Sequence, residues 1–120
     1  MANSTRILIV DNHALIREGV ASLLAAQPDL AVAGQASSGP QAIEMAQALR
    51  PDLILMDLTM PGMSGLEATQ RILALLPQCK VIMLTEDDEE DGLFEAVHHG
   101  AMGYVRKSAA TDTLVPMARR

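Results

Sequence analysis

Asp57 closes the apolar run Leu53-Ile54-Leu55-Met56 and is followed at once by Leu58-Thr59-Met60-Pro61-Gly62-Met63-Ser64-Gly65, where Pro61 and Gly62 force a turn. Three other short apolar runs end on polar residues in the same way: Arg6 to Val10 on Asp11-Asn12-His13, Val81 to Leu84 on Thr85, and Gly103 to Arg106 on Lys107. Two carboxylates, a hydroxyl and an ammonium are the parts needed to handle a phosphoryl group with Mg²⁺. Carboxylates are a class of covalent phosphoryl acceptor, which makes Asp57 the candidate nucleophile. One or two carboxylates with retained waters typically hold Mg²⁺ near phosphate, a task for Asp11 and Asp57. Lys107 would neutralise phosphoryl oxygens and Thr85 would donate a hydrogen bond to one of them.

That chemistry needs the four run ends brought together. Continuous apolar runs of this length, bounded by turn residues, read as fully buried strands of a parallel sheet. A weaker strand is expected over Leu30 to Ala36, giving five in all, with the fifth running from Gly103 to Lys107. Between them Leu15, Ile16, Val20, Leu23 and Leu24 recur near helical spacing, with Asn12 a plausible N-cap. Pro40 suits the first position of a second helix carrying Ala42, Ile43, Ala46 and Leu49, which stops before Pro51. A third helix carries Leu66, Thr69, Ile72, Leu73 and Leu76. A fourth opens in the acidic run Glu86 to Asp91, where negative charge suits a helix N-terminus, and a fifth begins at Thr111 with Pro116 near its first turn. Strands alternating with helices imply an α/β fold, a five-stranded parallel sheet doubly wound as (βα)5 with helices on both faces. Ligands of such sheets gather outside the carboxyl ends of the strands, where Asp11, Asn12, Asp57, Thr85 and Lys107 all fall.

Composition narrows the function classes. At 120 residues and 49% apolar content the chain fits a single domain with its own core. The formal charge of −6 argues against these residues gripping nucleic-acid phosphates, and with no Trp, one Phe and one Tyr there is no platform for stacking bases. The single cysteine, Cys79, makes no internal disulfide, and neither a membrane-spanning stretch nor a signal-peptide pattern is present, so a cytoplasmic protein without membrane contact is expected.

Taken together, Ile9-Val10-Asp11-Asn12-His13, the block Met56 to Gly65, Leu84-Thr85, and Gly100-Ala101-Met102-Gly103-Tyr104-Val105-Arg106-Lys107 resemble the receiver domain of a two-component response regulator, chemotaxis-regulator-like in its flavodoxin-like fold and of the LuxR/NarL type. The resemblance covers essentially the whole chain, residues 1–120. It implies that Asp57 accepts a phosphoryl group from a sensor histidine kinase, with Mg²⁺ held by Asp11, Asp57 and the backbone carbonyl of Thr59. It also implies that Thr85 and Tyr104 relay the modified state to a face made by the fourth helix, fifth strand and fifth helix, and that a homodimer forms on activation. Regulators of this type continue into a helix-turn-helix domain, so DNA binding and transcription control belong to a C-terminal domain expected to be absent from this chain. The chain is then a signalling domain, not an enzyme, whose only chemistry is its own phosphorylation and dephosphorylation at Asp57.

Two residues depart from the family pattern. Asn12 stands where the family usually has a second acid, the direct metal ligand; it offers a neutral carbonyl oxygen, and weaker Mg²⁺ binding is expected. Glu86 follows Thr85 where a small or apolar residue is usual. These departures motivate the alternative of a phosphorylation-independent protein-interaction module. A phosphatase of the haloacid-dehalogenase kind is disfavoured because its second acid, two residues after the nucleophile, is Thr59 here. His13 reads as a partly exposed first-turn residue and not as a ligand or base, His98 and His99 as solvated surface, Met60, Met63 and Met83 as packing or loop residues, and Cys79 as unreactive.

Overall fold

The structure, a computed structural model, describes residues 4–85, 103–106 and 115–116. In chain order the described elements are β1 (Thr5–Val10), α1 (Ala14–Ala25), β2 (Leu30–Ala36), α2 (Gly39–Leu49), β3 (Leu53–Asp57), α3 (Gly65–Leu75), β4 (Lys80–Thr85) and β5 (Gly103–Arg106). Residues 115 and 116 are helical, in the segment expected to form a fifth helix. The expected fourth helix, with its acidic run and with Glu86, His98 and His99, lies outside the described residues, as does Lys107.

All five strands are parallel, in the order β2-β1-β3-β4-β5. Because strand side chains alternate, each strand supplies both faces of the sheet. Ile7, Ile9, Leu53, Leu55, Ile82 and Leu84 pack with Val20 and Leu24 of α1 and with Val115. Leu8, Val10, Ile54, Met56, Val81 and Met83 pack on the other face with Ala42 and Ala46 of α2 and Ala68 and Ile72 of α3. Burial on both faces is why β1, β3 and β4 carry unbroken apolar runs. From β1 the chain steps outward to β2 and then back across β1 to β3, so the winding direction reverses between β1 and β3. A crevice opens at such a reversal, outside the carboxyl ends of the two strands.

Helix starts separate the sequence reading from the observed backbone. Ser38 and Ser64 cap α2 and α3, accepting hydrogen bonds from the backbone N–H of Gln41 and Glu67 at 3.2 Å each. Gly39 opens α2 and Pro40 follows it, one place later than expected, still within the turn whose N–H groups need no helical partner. For α1 the N-cap is His13, with φ −104° and ψ 111°, and not Asn12; no side-chain bond caps this helix. Leu15 is 82% exposed and leaves the apolar stripe, which runs instead through Ile16, Val20, Leu23 and Leu24.

Candidate functional site

Strand register builds the site. Ile9 pairs with Leu55 and Val10 with Met56, so one further step places Asp11 beside Asp57 at the carboxyl ends of β1 and β3. Both acids are buried, at 0% and 1% exposure. One carboxylate oxygen of each, with a ring nitrogen of His13, falls in a cluster whose atoms all lie within 4.8 Å of one another. Asp57 pairs with Leu84 on its other side, which puts Thr85, itself buried, one step further along the same edge. Thr85 pairs with Arg106 of β5.

Short local bonds fix the acids. The Thr59 N–H donates to Asp57 Oδ1 at 3.3 Å, an Asx-type turn that folds the loop back over the carboxylate. In the same fashion the His13 N–H donates to Asp11 Oδ1 at 2.8 Å, and His13 Nδ1 lies 3.1 Å from that oxygen. Arg17 Nη1 donates to the backbone carbonyl of Asp11 at 2.7 Å, and the Asp11 N–H donates to Ala36 O at 3.1 Å. The Asn12 Oδ1 atom is buried and has no hydrogen-bond partner among the described residues. A buried oxygen left in that condition, in the residue next to Asp11, is of the neutral oxygen type that a hard cation accepts.

Behind Asp57 the loop is held against the sheet. The Leu58 N–H donates to Leu84 O at 2.9 Å, continuing the ladder by one bond, and the Gly65 N–H returns to Leu58 O at 3.0 Å. Gly62 takes φ +80°, the left-handed region a side chain resists, so the residue after Pro61 is necessarily the one that turns the chain. At Gly65 the constraint is closeness: a Cβ there would be driven into the carbonyl of Asp57 and lie 3.0 Å from Leu58 Cα. The first turn of α3 therefore rests on the Asp57 peptide.

Of the residues singled out in the sequence, Asp11, Asp57 and His13 come together. Asn12 adjoins Asp11 and His13 in the chain, and Thr85 shares the edge with the two acids. The Thr59 side chain is exposed, its N–H serving Asp57. Tyr104 is 42% exposed on β5, paired with Met83. Met60 and Met83 are core residues and Met63 packs against the core, as expected. Cys79 is buried, and burial first, then the negative charge of Asp52, push its thiol up to about 11, consistent with its unreactive reading. Sequence reasoning missed the ring of His13 on Asp11 and the guanidinium of Arg17 on the Asp11 carbonyl. The signal for the first was the two-residue spacing of an Asx turn; for the second, a position four residues after the N-cap gave no comparable signal.

Residues 7–119 match the family model of the response regulator receiver domain. The chain belongs to the response regulator receiver domain family. The receiver domain is 42% identical over 114 residues to the transcriptional regulatory protein LiaR of Bacillus subtilis, covering 95% of this chain and 54% of that protein. It is 41% identical over 115 residues to the response regulator protein VraR of Staphylococcus aureus, covering 96% of this chain and 55% of that one. The chain thus spans about half the length of the curated relatives it matches. Among solved structures, a LuxR-family two-component response regulator from Aurantimonas matches with a TM-score of 0.88 at 34% identity, covering 94% of this chain and 81% of that one. The signal receiver domain of the NarL regulator from Mycobacterium tuberculosis matches with a TM-score of 0.86 at 28% identity, covering 98% of each chain. The flavodoxin-like receiver fold, the two-component family and its LuxR/NarL-type relatives are as the sequence indicated. Receiver domains generally bind Mg²⁺, and the two clustered carboxylates of Asp11 and Asp57 are oxygen donors of the kind it takes. Among the described residues no helix is long and apolar enough to cross a membrane.

Proposed function

We propose that Asp57 is the phosphoacceptor of this receiver domain and that a sensor histidine kinase is its donor. The observation that carries this reading is the placement of Asp57: buried at the end of the central strand, beside a second carboxylate, in the crevice where the sheet reverses its winding. A carboxylate oxygen of Asp57 attacks the phosphorus of a phosphoimidazole; the P–N bond breaks as the O–P bond forms, and the leaving imidazole keeps the N–P electron pair and takes up a proton. Asp11, Asp57, the backbone carbonyl of Thr59 and Asn12 Oδ1 would hold Mg²⁺, which supplies charge neutralisation for the transferring group. The Asp11 carboxylate is pinned by the His13 N–H and its main chain by Arg17, so the acid is oriented before the donor arrives. Thr85 and Lys107 bind phosphoryl oxygens, and Thr85 with Tyr104 passes the change to the face made by the expected fourth helix, β5 and the expected fifth helix.

Residues 1–120 act as one receiver domain, cytoplasmic, controlling a C-terminal helix-turn-helix domain that binds DNA in the parent protein, with a homodimer formed on activation. The half-length match to LiaR and VraR supports this reading. Intact mass after incubation with acetyl phosphate and Mg²⁺ is the test. A phosphoryl adduct on the wild type, absent from Asp57→Asn, is the expected result. An unmodified wild type would replace the reading with that of an interaction module working without phosphorylation, the reading Asn12 motivates.

A further inference from the structure

We propose that His13 is a third protein ligand of the cation site, and that its imidazole, with Asn12 in place of an acid, turns the site's preference from Mg²⁺ toward nitrogen-accepting ions of the Zn²⁺ and Co²⁺ kind. The inference rests on the reading of Asp11 and Asp57 as cation-holding acids. The Nδ1 atom of His13 lies 3.1 Å from Asp11 Oδ1, and ligand atoms of Asp11, His13 and Asp57 fall within 4.8 Å of one another. Bonds of about 2.1 Å to one ion set neighbouring ligand atoms roughly 3 Å apart and opposite ones roughly 4.2 Å apart. The observed cluster is therefore a small side-chain adjustment away from closing on an ion. His13 is placed to make that adjustment, because its side chain is 59% exposed and caps no helix.

Ligand chemistry gives the direction of the preference. Mg²⁺ is held by charge and oxygen donors and keeps its waters, so it gains nothing from an imidazole and loses by the exchange of an acid for Asn12. Zn²⁺ and Co²⁺ bind imidazole well, and three protein ligands with a position left to water is the pattern of open zinc sites. The buried Asn12 Oδ1, without a hydrogen-bond partner among the described residues, adds a neutral oxygen in the same turn. Two carboxylates, a neutral imidazole and a neutral amide balance a divalent ion without surplus charge.

Calorimetric titration of the chain with Mg²⁺, Zn²⁺ and Co²⁺ tests this, with Co²⁺ visible absorption reporting nitrogen ligation. Zn²⁺ and Co²⁺ are expected to bind about a hundredfold more tightly than Mg²⁺. His13→Ala should weaken both by at least about tenfold and change the Co²⁺ spectrum, while Mg²⁺ affinity moves by less than about twofold. Asn12→Asp should raise Mg²⁺ affinity by about tenfold. Equal losses for all three ions in His13→Ala would make the ring only a positioning partner of Asp11 and overturn the proposal, as would Zn²⁺ binding that survives that substitution, while the cation site itself stands. Binding of every ion unchanged in Asp57→Asn overturns the site reading and the proposal together.

Discussion

Asp52 and Asp57 bracket the same strand, yet the protein uses them in opposite ways. Asp52, exposed at the amino end of β3, is spent on tying chain to chain: its Oδ2 accepts the Arg6 N–H at 2.8 Å, its own N–H donates to Arg6 O at 2.9 Å, and its carbonyl accepts the Lys80 N–H at 3.1 Å. Arg6 completes that end by donating through Nη1 to Leu49 O at 2.7 Å and Arg50 O at 3.2 Å, the last carbonyls of α2. Asp57, buried at the carboxyl end, is held beside another carboxylate instead of beside solvent. Removing an acid from water next to a like charge costs stability, and a fold tolerates that cost where the group has work to do. The acid at one end of the sheet is exposed and ties strand to strand; the acids at the other are buried close to one another, each holding its own local turn.

Substitutions can break or sharpen that contrast. The largest effect is expected from Gly65→Ala, which drives a methyl group into the Asp57 peptide; overpacking of this kind should cost about 3 kcal/mol in urea denaturation. A loss of a few tenths would show that α3 does not rest on the Asp57 peptide. Asp57→Asn keeps the shape and removes one of two close buried charges, so stability should rise by about 1 kcal/mol while phosphorylation is abolished. At the other end Asp52→Ala should lower stability by about 1 kcal/mol with the phosphorylation rate unchanged, since it removes the acceptor of a backbone N–H far from the site. A reversal of sign between these two variants would erase the distinction between the ends.

Smaller effects follow at the amino end. Arg50 closes α2 in the left-handed region at φ 47°, so Arg50→Gly should gain about 0.5 kcal/mol by relieving strain. Cys79 adds a pH dependence. Its thiol is raised from 9.0 to about 11 by burial and by Asp52, so the folded state holds its proton more tightly than the unfolded one. The stabilisation is complete below pH 9 and is lost as pH rises toward 11. Wild-type stability should fall faster than that of Cys79→Ala across that interval, and parallel curves would dismiss the effect.

Where the sequence was legible, burial made it so. Leu53 to Asp57 was bounded correctly because turn residues flank an apolar run buried on both faces, and Leu30 to Ala36, a half-buried edge strand, because turn residues flank it on both sides. The ends of four strands were also readable as one edge, since doubly wound sheets leave little choice of where such ends go. The start of α1 was not readable. Asn12 and His13 are both polar and either could precede a helix; the choice fell to Asp11, whose carboxylate accepts the His13 N–H. The convergence of Asp11 and Asp57 was expected from their strand ends; the exact step that sets them side by side comes from how β1 and β3 register against each other and not from either run alone.

That register has a kinetic meaning. Asp11 and Asp57 meet only when β1 closes on β3, a parallel pairing of residues 46 apart in sequence, and such non-local pairings are paid for in loop entropy before they return any contact. A chain that has formed its helices but not this pairing has both acids and no pocket. The pairing of the two acids therefore doubles as a report that the two central strands have closed on each other.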